Sequence, residues 1–218
     1  MKKKLSLLIA LLTLCLALSA CGDRTTTSQT ETKEPAKATA TSTATETPEP
    51  ELSVDPAVSQ KVKVTMENGK TFVIATAPEY APSTVKNFLQ LVESGFYDGL
   101  TFHRIIEGFM AQGGDPNGNG TGGSAKKIKG EFADNGYTQN TLSHTRGVVS
   151  MARSNHPNSA SSQFFICYDA APHLDGQYAA FGEVVEGMET VDEFLKTPRD
   201  NADKPKTPIV MKKVEILK

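Results

Sequence analysis

The chain has 218 residues, of which 38% are hydrophobic and 22% charged, with a formal net charge of −2. That length allows one domain of ordinary size with a tail, or two small domains. The balanced charge offers neither the clustered basic face expected of a nucleic-acid binder nor the acidic block of a solvating tail, so no nucleic-acid partner is expected.

The first element is a leader. MKKK supplies a positive start and LSLLIALLTLCLALSA, from Leu5 to Ala20, an apolar run, which together read as a signal peptide over residues 1–20. A membrane-spanning helix needs about 20 apolar residues, and this shorter run gives way to a cysteine and small polar residues. Leu18-Ser19-Ala20-Cys21 resembles the bacterial lipobox. The resemblance implies a lipid on Cys21, a mature chain that begins there, and an extracytoplasmic location on the bacterial cell membrane. At about 0.8 kcal/mol per buried methylene, several acyl chains suffice for stable attachment. Cys15 then falls in the discarded segment, and Cys167, among the large apolar residues of SQFFICYD, reads as a small buried hydrophobe. It has no CxxC partner, and no disulfide within the domain is expected.

Residues 21–58 are dominated by Thr, Ala, Glu and Pro. Such a segment buries too little apolar surface to offset its ordering entropy and reads as a disordered tether. The roughly 36 residues from Gly22 to about Ala57 could reach about 120 Å at ~3.3 Å per residue. A folded domain is expected over 59–218.

Within that domain Val62, Val64 and Met66 alternate with polar residues, Asn68-Gly69 suits a turn, and Phe72 and Ile74 resume the alternation, which predicts a β-hairpin over 61–76. Val85, Phe88, Leu89 and Val92 then fall at helical spacing, with Ser83 or Thr84 as a cap and Gly95 at the C′ position. The runs LTFHRII, GFMAQ, GVVSMA, SQFFICY and YAAFGEVV are short strands separated by Gly, Pro, Asn and Asp. A second helical stripe of Met188, Val191 and Leu195 precedes a last strand in IVMKKVEIL. Many short strands with two helices predict a mainly β fold: a closed or nearly closed antiparallel barrel capped by helices.

Several familiar chemistries fail on context. His103, His144, His156 and His173 have no HExxH or CxxC spacing, so no metal is expected, and the serines lack a G-x-S-x-G elbow. The loop GGDPNGNGTGG, 113–123, contains both a G-x-G-x-x-G and half of a calcium loop. No helical stripe follows it, as a dinucleotide site requires, and the twelfth calcium-loop position is Lys126. No cofactor is expected.

The blocks FHRIIEGFMAQGGDP, GNGTGG, GVVSMA, SSQFFI, HLDGQYAAFG and EVVEGMETVD, in that order, resemble the cyclophilin family of peptidyl-prolyl cis/trans isomerases over about Gln60 to Leu217. The resemblance implies an eight-stranded antiparallel barrel closed by two helices, with a groove for proline-containing polypeptides on its outer face. By matching position, Arg104, Phe109 and Gln112 would be catalytic. Met110, Gly120, Thr121, Ala152, Phe165, His173, Leu174 and Tyr178 would bind substrate.

Those residue types fit the task. Rotation about an X-Pro bond meets a barrier of about 18 to 20 kcal/mol from amide resonance. In the twisted transition state the prolyl nitrogen regains its lone pair, for which the Arg104 guanidinium is a suitable donor. Phe109, Met110, Phe165 and Leu174 would form a dry pocket around the proline ring.

The sequence departs from the best-known members at the groove's rim. His173 stands where many have tryptophan, Tyr178 where many have histidine and Arg153 where asparagine is common, and one extra residue lies between Ala152 and Pro157. Affinity for cyclosporin-type inhibitors and the preference for residues before proline stay open. So does the alternative of a non-catalytic cyclophilin-like module that binds or chaperones proline-containing peptides. Nothing calls for more than a monomer.

Overall fold

The computed structural model describes residues 52–218. The leader, Cys21 and most of the tether therefore lie outside the described residues. Leu52 and Val54, although inside the expected tether, pack against the barrel core, and the Ser53 N–H donates to Glu93. The packed chain thus begins several residues ahead of 59, because two aliphatic side chains in an otherwise polar stretch find apolar surface. Among the described residues no helix is long and apolar enough to cross a membrane.

Eight strands form the described fold: β1 (Lys61–Met66), β2 (Thr71–Thr76), β3 (Thr101–Ile106), β4 (Met110–Asp115), β5 (Val148–Met151), β6 (Phe164–Cys167), β7 (Ala180–Glu186) and β8 (Ile209–Ile216). They close into a barrel in the order β1-β2-β7-β5-β6-β4-β3-β8, every pair antiparallel. Closure leaves no sheet edge to protect. The mainly β barrel expected from the sequence is the observed fold.

Helix α1 (Pro82–Glu93) buries Val85, Phe88, Leu89 and Val92, as their spacing predicts. Its start differs from expectation. Neither Ser83 nor Thr84 caps it; Pro82 occupies the first turn, and the Glu131 carboxylate, 47 residues on from Thr84, accepts from the Ser83 and Thr84 N–H groups at 3.0 and 2.8 Å. The first-turn donors are thereby satisfied by an anion at the positive end of the helix dipole. The second helical stripe yields only a short α2 (Met188–Asp192) that tightens into a 3-10 turn over Glu193–Lys196, with Val191 fully buried.

The barrel interior is aromatic. The Phe88 ring lies 5.5 Å from Tyr97, 5.9 Å from Phe164 and 5.0 Å from Phe181, and Phe102 packs 4.9 Å from Phe194. Each such pair contributes about 0.5–1.5 kcal/mol beyond its buried area. The Tyr97 hydroxyl donates to the Ser162 carbonyl, which removes the cost of burying it.

A second apolar cluster stands apart from this core: Met110, Phe165, Cys167, Ala171 and Leu174, with Ile106, Phe109, Ala152 and Tyr178 packed on it. Strand alternation creates it. On β6, Phe164 and Ile166 face the barrel core while Phe165 and Cys167 face the second cluster, and on β4 Ala111 faces in and Met110 out. Cys167 is the buried thiol the sequence suggested, pushed up to about 12 by desolvation, and it lies under this outer cluster.

Candidate active site

The ladder aligns the candidate residues. Arg104 on β3 pairs with Gln112 on β4, Gln112 with Phe165 on β6, and Phe165 with Ser150 on β5. Simple alternation would put Phe102 and Arg104 on one face. A register shift between them instead leaves Phe102 and Ile105 in the core and frees Arg104 to face outward. The residue within the irregularity, His103, is 6% exposed, with no well-formed hydrogen bond to either ring nitrogen among the described residues. Burial holds its pKa below 6.5, although the Asp115 charge works against this.

Arg104, Phe109, Met110, Gln112, Ala152, Phe165, Leu174 and Tyr178 together line a cavity of about 140 Å³, joined by Arg153. Arg104 Nη1 donates to Gln112 Oε1 at 3.4 Å, a long contact. The backbone of Phe109 is fixed at both ends, its N–H donating to Ile106 and its carbonyl accepting from Tyr168. Phe165 meets Tyr178 edge-on at 5.9 Å.

The remaining predicted residues lie around this cavity. Gly120 and Thr121 line an adjoining cavity of about 320 Å³ that shares Gln112 and Ala152. His173 lines neither; it is exposed and its ring lies 5.5 Å from Phe109. The loop carrying Gly120 winds around Asp115, whose carboxylate accepts from the N–H groups of Asn117, Asn119 and Gly120. Burial raises the Asp115 pKa, but those three donors more than offset it and hold the carboxyl below 3.8. The carboxylate thus serves its own loop, and the next helical element is the three-residue turn Ala133–Asn135, so the loop opens no nucleotide-type helix.

Two features escaped the sequence reading. Gln163 accepts from Gln112 Nε2 at 2.9 Å and donates to the Gly120 and Gly122 carbonyls at 3.1 and 2.7 Å, linking the catalytic candidates to the loop. Its position two residues before Phe165, on the same strand face, was the available signal. The other is a polar chain beside Phe165, with His144 and Ser150 buried and Asp175 exposed. His144 Nδ1 lies 2.8 Å from Asp175 Oδ1, its Nε2 lies 2.9 Å from Ser150 Oγ, and its ring stacks 6.0 Å from Phe165. Burial lowers the His144 pKa despite Asp175, so the neutral ring donates to Asp175 and accepts from Ser150. Ser150 is fully buried, so this chain supports Phe165 and is no nucleophile.

Such a surface can hold an apolar ring against Phe109, Met110, Phe165 and Leu174 while presenting a guanidinium to it. Comparison with known proteins points to one family. The family model "Cyclophilin type peptidyl-prolyl cis-trans isomerase/CLD" matches residues 61–216. Peptidyl-prolyl cis-trans isomerase B of Bacillus subtilis is 46% identical over 124 residues, 57% of this chain and 82% of its own. Peptidyl-prolyl cis-trans isomerase-like 3 of Homo sapiens is 49% identical over 120 residues, 55% of this chain and 73% of its own. The crystal structure of a cyclophilin type peptidyl-prolyl cis-trans isomerase from Cryptosporidium parvum superposes with a TM-score of 0.67 at 35% identity, covering 74% of this chain and 99% of that one. The same protein has been solved in the presence of the dipeptide Ala-Pro.

Proposed function

The chain belongs to the cyclophilin-type peptidyl-prolyl cis-trans isomerase family, and from that premise we propose that it speeds rotation about X-Pro bonds in exported polypeptides, held to the cell membrane by lipid on Cys21. The observation that most supports this reading is the pairing of Arg104 with Gln112 in the lining of a cavity walled also by Phe109, Met110, Phe165 and Leu174.

The proline ring sits against the apolar wall, which excludes water from the bond to be turned. As the amide twists, its resonance is lost and the prolyl nitrogen gains an available lone pair. Arg104 donates to that pair, and because a guanidinium is permanently charged it needs no proton transfer to do so. Gln112 orients the guanidinium or receives the peptide. Uncatalysed exchange takes tens to hundreds of seconds, so reaching milliseconds means lowering the barrier by about 7 kcal/mol. Covalent chemistry is unnecessary.

The anchor rests on the leader and the Leu18-Ser19-Ala20-Cys21 sequence. Expression in a bacterium fed labelled palmitate tests it: the wild type takes up label and sediments with membranes, and Cys21→Ser does neither. Label retained by the variant would remove the anchor from the proposal.

A further inference from the structure

Beside the proline pocket lies the larger cavity of about 320 Å³, which shares Gln112, Ala152 and Arg153 with it. Its walls carry hydroxyls, including Ser124, Ser159 and Ser161, together with Lys127 and Arg153, and no carboxylate of the described residues lines it. We propose that this cavity receives an acidic side chain, an aspartate or glutamate close to the isomerised proline, with Arg153 and Lys127 as the residues that select it. The inference rests on the isomerase reading of the adjoining pocket and names the class of polypeptide it takes.

Three observations carry it. Neither cation is paired with a carboxylate among the described residues. Asp115, at the end of β4 where the loop lining this cavity begins, already accepts three backbone N–H groups. Arg153 is also held in place. Its guanidinium lies 4.5 Å from the Tyr178 ring centre and 5.1 Å from that of Phe132, and its Nε and Nη2 donate to the Gln177 carbonyl at 3.2 and 2.9 Å. A planar cation fixed in this way loses little freedom when a carboxylate arrives.

Other occupants fit less well. A cationic side chain would face two like charges, and an apolar one would cover hydroxyls and amides without pairing them. The shared walls set the distance: consecutive extended residues advance about 3.3–3.6 Å, so the acidic residue stands within a few positions of the proline.

Matched peptides built on Ala-Pro, with Glu or Gln placed in turn at each of the three positions on either side, test the proposal. Exchange NMR reads turnover and chemical-shift titration reads binding. At one position, Glu is expected to surpass Gln by roughly fivefold at low salt, the size of one or two partly exposed charge contacts. That advantage shrinks in strong salt and in Lys127→Gln and Arg153→Gln. Lys127 is exposed, so its variant stays informative if replacing Arg153 disturbs the loop. Equal binding of Glu and Gln peptides at every position, or a preference unchanged in Lys127→Gln and in Arg153→Gln, overturns the inference. Absence of exchange with every peptide would count against the isomerase reading, while the titration would still decide this one.

Discussion

Arg104 and Gln112 face each other across β3 and β4, and Nη1 of Arg104 donates to Oε1 of Gln112 at 3.4 Å while Gln112 passes its own amide N–H to Gln163. The guanidinium is thus the end of a chain of amides that runs back to the Gly120 and Gly122 carbonyls. Gln163→Ala is expected to raise KM several-fold with a smaller fall in kcat, because Gln163 acts through Gln112 and the loop. Gln112→Ala lowers kcat/KM about tenfold, the scale of one charge-assisted hydrogen bond of modest geometry. Steady-state kinetics on a proline peptide separates the two patterns; equal effects on kcat and KM from both variants would show that no such chain operates.

Helix α1 takes its cap from a distant carboxylate. Glu131→Ala leaves the Ser83 and Thr84 N–H groups and the Thr84 hydroxyl without their acceptor, and is expected to cost about 2 kcal/mol in chemical unfolding. Ser83→Ala, at one of the two positions that the sequence offers as a cap, should change stability by under about 0.5 kcal/mol. The reverse order would return the capping role to Ser83.

Stability should depend on pH through two histidines. Burial holds the folded pKa values of His103 and His144 below 6.5, so the unfolded chain takes up protons first as the pH falls. Their contribution is complete above about pH 6.5 and is lost progressively below it. Asp115 and Asp175 carry pKa values below 3.8 and act in the same direction only in stronger acid. Urea unfolding between pH 8 and pH 5 should show midpoints that decline below about 6.5, with a shallower decline in His144→Gln. An unchanged slope in that variant would mean that His144 titrates normally.

Gly114 is the next-to-last residue of β4, just ahead of the groove loop. Its φ is +80°, and an added Cβ would stand 2.6 Å from the Ser162 carbonyl oxygen. Gly114→Ala is expected to lower stability by roughly 2–4 kcal/mol, combining left-handed strain with overpacking. A thermal midpoint within a degree of wild type would refute that.

Legibility in the sequence followed the range of the interactions. Period-2 runs such as Val62, Val64 and Met66, and the helical spacing of Val85, Phe88, Leu89 and Val92, are local patterns, and the barrel and α1 appear where they predict. What depends on chain-distant partners was hidden. Glu131 reaches α1 from 47 residues away, and His144 meets Asp175 31 residues on. Both join loops to elements that periodicity cannot connect. The outward turn of Arg104 was equally invisible, because a strand irregularity at His103 breaks the alternation that would have placed it beside Phe102. The resemblance supplied Arg104 and the apolar wall, whereas the links made by Gln163 and the aromatic clamp on Arg153 arise only in the folded chain.

The role of Arg104 is tested most directly by NMR exchange spectroscopy of a proline peptide with wild type and Arg104→Ala, each confirmed folded by circular dichroism. Loss of a preorganised donor to the twisted amide predicts exchange slower by about 10²–10³-fold, with the peptide still bound against Phe109 and Phe165. Equal exchange rates in the two proteins would contradict it.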